Sequence, residues 1–212
     1  MAPVVSIVGK SNSGKTAVIE RLVQELKSRG YRVATIKHAP QGTSFDERDK
    51  DSWRHIEAGS DATVVSSPDN LVLVKPVFQD SSLEEIVRLL GEDYDIILSE
   101  GFKQGNAPKI EVHRKAIGAP LKDIKKLMAL VTDEPLQTKV RQFSFKDSKG
   151  LADLLEKGFI RPQKERVSLY VNNAPIVLTT FPKQIIANVL MAVTSCLKGV
   201  KEVSSLQIFL KK

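Results

Sequence analysis

In 212 residues the chain has one cysteine, Cys196, so no internal disulfide can staple the fold. No apolar stretch approaches the roughly 20 residues that a bilayer-spanning helix needs. The first residues, MAPVVSIVG, show neither the basic n-region nor the small-residue cleavage site of a secretory signal. These absences lead us to expect a reducing, cytoplasmic setting and no membrane partner. Aromatic residues make up 6% of the chain. They are not interleaved with the basic residues, as a platform for stacked bases requires, so nucleic acid is not the expected partner.

What is there describes an ordinary globular chain, 42% hydrophobic and 27% charged, and long enough to bury a proper core. The net charge of +7 is uneven. From Arg161 onward eight basic residues face only Glu165 and Glu202, so +6 of that charge lies in the tail. Such a tail either attracts an anionic partner or serves as a solvated surface.

Up to about residue 160, strand-like and helix-like patterns alternate. VVSIVG (4–9) is a buried strand. KTAVIERLVQELKSRG (15–30) places Val18, Leu22, Val23 and Leu26 on one helical face and stops at Gly30. YRVATIKH is a second strand. DSWRHIEAG is a short helix with Asp51 as N-cap, and ATVVSS and LVLVKP form a hairpin through PDN. SLEEIVRLLG is a helix, DYDIILSEGF, PKIEVHR and LMALVTD are strands, and GLADLLEKG is a helix. This alternation predicts an α/β fold with a mostly parallel sheet flanked by helices, spanning residues 1–160. RPQKER (161–166) is the expected linker. Residues 167–212 read as a small basic ββαβ appendage: two strands around Asn172 and Asn173, a helix over PKQIIANVLMAVTSCLKG, and a last strand VSSLQIFLKK.

Residues 9–16, GKSNSGKT, follow the first strand and open the first helix. The spacing G-x-x-x-x-G-K-[ST] is that of a phosphate-binding loop (Walker A), and a strand before it with a helix after it is the confirming context. Gly9 and Gly14 let the backbone curl, so that the amides of Lys10, Ser11, Asn12 and Ser13 face an anion, and the helix adds its positive end. Lys15 is expected to reach the β- and γ-phosphates. Thr16 is expected to offer its hydroxyl to Mg2+, which keeps most of its waters. The second oxygen donor is Glu100, at the end of DYDIILSE; it either holds the metal through water or orients an attacking water. Asp95 opens that strand and so lies at the wrong end.

Other candidates sit at strand ends, where ligands gather in such sheets. Lys37 and His38 end the second strand, and His38 is a phosphate donor, a metal ligand or plain structure. Asp46 either shares the magnesium shell or is solvated. N-K-x-D is absent, and Asp133 either accepts from guanine N1 and N2 or caps a turn. Glu111 and His113 share one strand face, and Lys109 and Arg114 flank them in position to meet an anion. Trp53 and His55 read as packing. Cys196 falls on the apolar side of its helix and is expected to be buried.

Five segments in order, GKSNSGKT, IKH, FDERDKDSWRHIEAG, DIILSEGFK and PKIEVHR, together resemble the molybdopterin-guanine dinucleotide biosynthesis adaptor protein B (MobB) family over roughly residues 3–135. The resemblance implies a P-loop NTPase of the SIMIBI type that binds GTP with Mg2+, hydrolyses it slowly and forms a homodimer. It implies a role in attaching GMP to molybdopterin, beside the molybdenum cofactor guanylyltransferase that does the chemistry. It also implies that Gly9 to Thr16 bind GTP and that Lys37, His38, Asp46, Asp51, Ser52, Glu100, Gly101 and Lys103 line the site. Three departures stand out. The K-H-x-x-H pattern ends in Gln41, the segment between Asp46 and Asp51 is short, and the basic tail lies outside the minimal domain. Lys10 resembles the signature lysine of dimeric P-loop ATPases that act across a subunit interface; the alternative is a solvated loop lysine. Two rival functions remain open. One is a small P-loop kinase, for which Arg48 and Arg54 are the only arginines of the long loop region. The other is a nucleic-acid-binding module built on the tail.

Overall fold

A computed structural model describes residues 2–39, 50–91, 93–162, 167, 169–171, 174–201, 203, 206 and 208. The chain divides into two compact units, Ala2–Pro162 and Gln163–Lys212.

The first unit is built on a six-stranded sheet, in the order β2-β5-β1-β6-β7-β8. Its strands are β1 (Val4–Val8), β2 (Val33–Lys37), β5 (Ile96–Glu100), β6 (Lys109–His113), β7 (Leu127–Thr132) and β8 (Arg141–Phe143). Every pairing in this sheet is parallel. The central strands read as continuous apolar runs because both of their faces are buried, as parallel sheets require. The short β8 was not foreseen; RQF is too brief and too polar to mark a strand.

Helix α1 (Lys15–Ser28) buries Val18, Ile19, Leu22 and Leu26. They join Val5, Ile7, Leu98, Ile110, Val112 and Val131 of the sheet, and Leu151 and Leu155 of α4 (Ser148–Leu155), in one core. Beyond α4 a π-helical turn, Glu156–Ile160, ends this unit's last helix. There Arg29, at the end of α1, donates to Glu25, Asp153 and Glu156, tying α1 to α4. Helix α3 (Leu83–Leu90) starts with a complete capping box between Ser82 and Glu85.

The hairpin is present as β3 (Thr63–Ser66) against β4 (Leu71–Val74), a separate two-stranded sheet. Its apolar residues Val64, Val65, Leu71, Val72 and Leu73 are exposed. Helix α2 (Asp51–Glu57) packs beside it, with Lys50 in the N-cap position; Asp51 is the first helical residue, not the cap. Trp53 is half-buried, but His55 is exposed and so does no packing.

Lys109 corrects another expectation. It is wholly buried, and its ammonium donates to the carbonyls of Gly105 (2.5 Å), Ala107 (3.0 Å) and Lys125 (3.3 Å). It pins two loops together from inside and is not available to an anionic ligand. A buried ammonium needs this set of acceptors to offset its lost hydration.

In the second unit β9 (Leu169–Val171) pairs antiparallel with β10 (Ala174–Ile176), and α5 (Thr180–Ser195) follows. None of the residues of α5 is buried. Cys196, just beyond it, is exposed, contrary to its expected burial. Asp46, Gln41 and Arg48, linker residues 163–166, the Asn172–Asn173 turn and most of the expected last strand lie outside the described residues.

Candidate functional site

The C-terminal ends of β1, β5 and β2 lie side by side because the parallel register aligns them. Ile7 and Lys37 are both partners of Glu100, one on each side of it. β1 then turns into the loop at Gly9. Its φ is +155°, and a Cβ there would collide with the Val112 carbonyl oxygen and stand 2.7 Å from Ser13 Oγ. Only glycine lets the loop press against β6 in this way. Asn12 (φ 61°) and Gly14 (φ 95°) complete the curl, and Gly14 is the N-cap of α1.

Inside this loop Lys15 Nζ donates to the Lys10 carbonyl at 2.9 Å. Burial holds the Lys15 ammonium below the usual lysine range; Glu100 opposes that shift, while Lys103 and Lys37 add to it. Lys37, Lys103 and Lys15 thus share one electrostatic neighbourhood with the Glu100 carboxylate. Thr16 Oγ1 donates to Glu100 Oε2 at 3.1 Å. Ser13 is buried, and its hydroxyl has no hydrogen-bond partner among the described residues. Ser11 and Asn12 are exposed on the loop's crest. A groove of about 460 Å³ runs from Thr16, Glu100 and Lys37 along Ile19 and Val23 of α1.

His38 stands at the edge of this group. Its amide donates to the Glu100 carbonyl at 3.0 Å, and its ring stacks on Phe102 at 4.6 Å between centroids. Nε2 lies 2.7 Å from Asp80 Oδ2. Gly101 (φ 101°) sits under the ring; a Cβ there would lie 3.0 Å from His38 Cβ. Asp80 escaped the sequence reading, since nothing in FQDSS marks it.

On the other flank Arg114 Nε donates to the Ser13 carbonyl at 3.2 Å, and Nη1 lies 3.7 Å from Asp133 Oδ2. Asp133 Oδ1 accepts from the Lys115 amide at 2.9 Å. The Arg114 guanidinium lies over the Phe145 ring, 4.1 Å from its centroid. Lys10 points toward Gly118, where a Cβ would lie 3.5 Å from Nζ. Glu111 and His113 are buried beneath this flank: Glu111 Oε1 accepts from the Leu121 amide at 2.6 Å, and His113 Nε2 pairs with Glu134 at 2.9 Å. Phe145 follows the unforeseen β8 and was missed with it.

Asp51 and Ser52 are placed elsewhere, on the rim of a second groove of about 620 Å³ shared with Lys50, His55, Thr63 and Ser66. Asp51 is exposed and 3.6 Å from Arg54.

The arrangement is a glycine-bent loop, one ammonium inside it, and a hydroxyl beside a carboxylate at its mouth. Residues 4–133 match the family model described as "Molybdopterin guanine dinucleotide synthesis protein B". The chain is 35% identical over 159 residues to the molybdopterin-guanine dinucleotide biosynthesis adapter protein of Haemophilus influenzae, covering 73% of this chain and 88% of that one. It is 30% identical over 161 residues to the protein of the same name from Escherichia coli, covering 73% and 92%. A crystal structure of molybdopterin-guanine biosynthesis protein B superposes with a TM-score of 0.60 at 28% identity, covering 73% of this chain and 98% of that one. The crystal structure of Bacillus subtilis MobB does so at 0.58 and 28%, covering 74% and 98%.

Proposed function

The chain belongs to the molybdopterin guanine dinucleotide synthesis protein B family, and from that premise we propose that it is a GTP-binding adaptor with a slow GTPase activity. Its role is that of an adaptor in molybdopterin guanine dinucleotide biosynthesis. The observation that carries the nucleotide reading is the pairing of Thr16 with Glu100 at 3.1 Å, directly beside Lys15 inside the loop.

The residues present fit magnesium. Thr16 and Glu100 offer a hydroxyl and a carboxylate, both hard oxygen donors, side by side. Mg2+ needs only one or two protein oxygens, with water and phosphate supplying the rest. When bound, it offsets negative charge on the phosphate oxygens. Lys15 turns from the Lys10 carbonyl to the phosphates, and the amides of residues 10–16 hold the polyphosphate. Lys37 and Lys103 add positive charge at the mouth, and His38, clamped by Asp80 and Phe102, closes that side.

The exposed apolar hairpin β3–β4 supports a homodimer. Val64, Leu71 and Leu73 share one face of this small separate sheet, with Val65 and Val72 on the other, and exposed apolar patches of this kind mark association surfaces. The proposed partner is a guanylyltransferase acting on molybdopterin; what supports an interaction of this kind is the word adapter in the relatives' names.

The test is an assay of dinucleotide formation by the guanylyltransferase from molybdopterin and GTP, with and without this protein. Product formation is expected to rise with the protein, and to rise less with a Lys15→Ala variant. No change on adding the wild-type protein would contradict the adaptor reading.

A further inference from the structure

We propose that Asp80 is a positioning residue of the loop site: through His38 it fixes the turn that aims Glu100 at Thr16. This deepens the nucleotide reading above and rests on it. Asp80 lies between β4 and α3, far along the chain from the loop and from Glu100, and nothing in its own segment marks it for the site.

The chain leaves β5 through Gly101 and Phe102, both left-handed, with φ of 101° and 52°. Glycine takes that conformation freely. Phenylalanine does not, because its Cβ crowds its own backbone there. A strained residue of this kind persists only where its surroundings hold it. If Phe102 relaxed, its neighbours Glu100 and Lys103 would move with it. The main chain holds the turn from three sides. The Glu100 carbonyl accepts from the His38 amide, the Gly101 amide donates to the Ile7 carbonyl, and the Phe102 carbonyl accepts from the Gly105 amide, each at 3.0 Å. The Phe102 side chain is held by the His38 ring, stacked at 4.6 Å between centroids and 29° between planes.

That stack requires the imidazole to keep one orientation, and Asp80 sets it. His38 Nε2 lies 2.7 Å from Asp80 Oδ2. An ionised carboxylate only accepts, so the ring hydrogen sits on Nε2 and the ring is turned toward Asp80. Asp80 is itself placed by α3, whose capping box closes at Ser82, two residues on. A carboxylate behind a histidine fixes ring and tautomer in metal sites; here the fixed ring holds a turn. The relay runs from the start of α3 through Asp80, His38 and Phe102 to Glu100, and so to the hydroxyl of Thr16. Asp80 keeps 73% of its side chain exposed, so its removal deletes the hydrogen bond without opening a core.

The experiment compares the full chain with Asp80→Ala, Asp80→Asn and Phe102→Leu. GTP binding is measured with Mg2+ and with EDTA, and the imidazole NMR spectrum is recorded at alkaline pH; with three histidines in the chain, that spectrum is simple to assign. Wild-type His38 is expected to carry its hydrogen on Nε2, and Asp80→Ala to lose that preference. Asp80→Ala is expected to bind GTP in EDTA as wild type does, but to lose about tenfold of the gain that Mg2+ gives. Asp80→Asn still offers an oxygen to Nε2–H and is expected to keep most of that gain, which separates position from charge. Phe102→Leu removes the stacked ring and is expected to match Asp80→Ala, with the double variant no worse than either, as links of one relay require. If wild type binds GTP but Asp80→Ala keeps the full Mg2+ gain or the wild-type tautomer, or Asp80→Asn fares as badly as Asp80→Ala, this inference is overturned and the nucleotide reading stands. If wild type binds no GTP, both fall.

Discussion

Thr16 Oγ1 donates to Glu100 Oε2 across 3.1 Å, joining residues 84 positions apart in the chain. The first turn of α1 and the end of β5 meet there because β1 and β5 are parallel neighbours in register, Ile7 opposite Glu100. The curled loop thus delivers its hydroxyl to the carboxylate at the adjacent strand end. Much of the proposed chemistry depends on this junction.

Glu100→Gln keeps the shape of the junction and removes its charge. Nucleotide is expected to remain bound while phosphate release slows at least about tenfold. The change also acts on Lys15. Burial lowers the Lys15 pKa and Glu100 partly restores it, so removing the charge lowers it further. The loss of GTP affinity with rising pH is therefore expected to begin at a lower pH in the variant than in wild type. Single-turnover phosphate release and titrations across the alkaline range check both effects. An unaltered hydrolysis rate would remove Glu100 from the reaction.

Gly9→Ala places a methyl group against the Val112 carbonyl and Ser13 Oγ, at a φ of +155°. The expected cost is at least about 1 kcal/mol of stability, together with loss of GTP binding, because the loop can no longer lie on β6. Urea unfolding and nucleotide titration of the same preparation measure both. A variant with wild-type stability and affinity would show that the loop does not need this close approach.

The bent loop after β1 was legible in GKSNSGKT because its shape is local: glycine spacing, one lysine and one hydroxyl all sit within eight residues. Glu100, Lys37 and His38 were legible as strand ends, since an apolar run followed by a polar residue marks where a parallel strand opens onto the ligand side. Asp80, Arg114 and Phe145 were not legible in their roles. Asp80 reaches His38 from a loop with no pattern, and Phe145 follows a three-residue strand. Lys109 and Cys196 were misread for one reason: burial depends on tertiary packing, which helical or strand periodicity cannot weigh. Lys109 is held by carbonyls of the loop just before it and of the loop before β7, and Cys196 follows a helix whose apolar residues remain uncovered.

Glu156 predicts a pH dependence of stability. Hydrogen bonds from Arg29, then Arg161 and Tyr31, hold its pKa down at about 2, against an ordinary 4.5. A carboxylate depressed on folding stabilises the protein above its unfolded pKa and loses that contribution as pH falls through its folded pKa. The stability gap between wild type and Glu156→Gln is therefore expected to be full above about pH 4.5 and to close toward about pH 2. Urea midpoints at a series of acid pH values measure it. A gap that stays constant down to pH 2 would contradict the network's role.

Leu71 is 70% exposed at the edge of the hairpin. If a second copy covers that sheet, Leu71→Glu buries a charge at the interface and is expected to yield monomers without loss of folded structure. Light scattering of wild type and variant reads this directly. A wild-type protein that is monomeric at tens of micromolar would contradict the dimer.

The most direct test is calorimetric titration of the full chain with GTP and Mg2+, beside the Lys15→Ala variant. Wild type is expected to bind one GTP per chain with magnesium-dependent affinity, and the variant, folded to the same helix content, to bind none. Equal affinity in the two proteins, or no binding by wild type, would contradict the claim that the loop at residues 9–16 holds a nucleoside triphosphate.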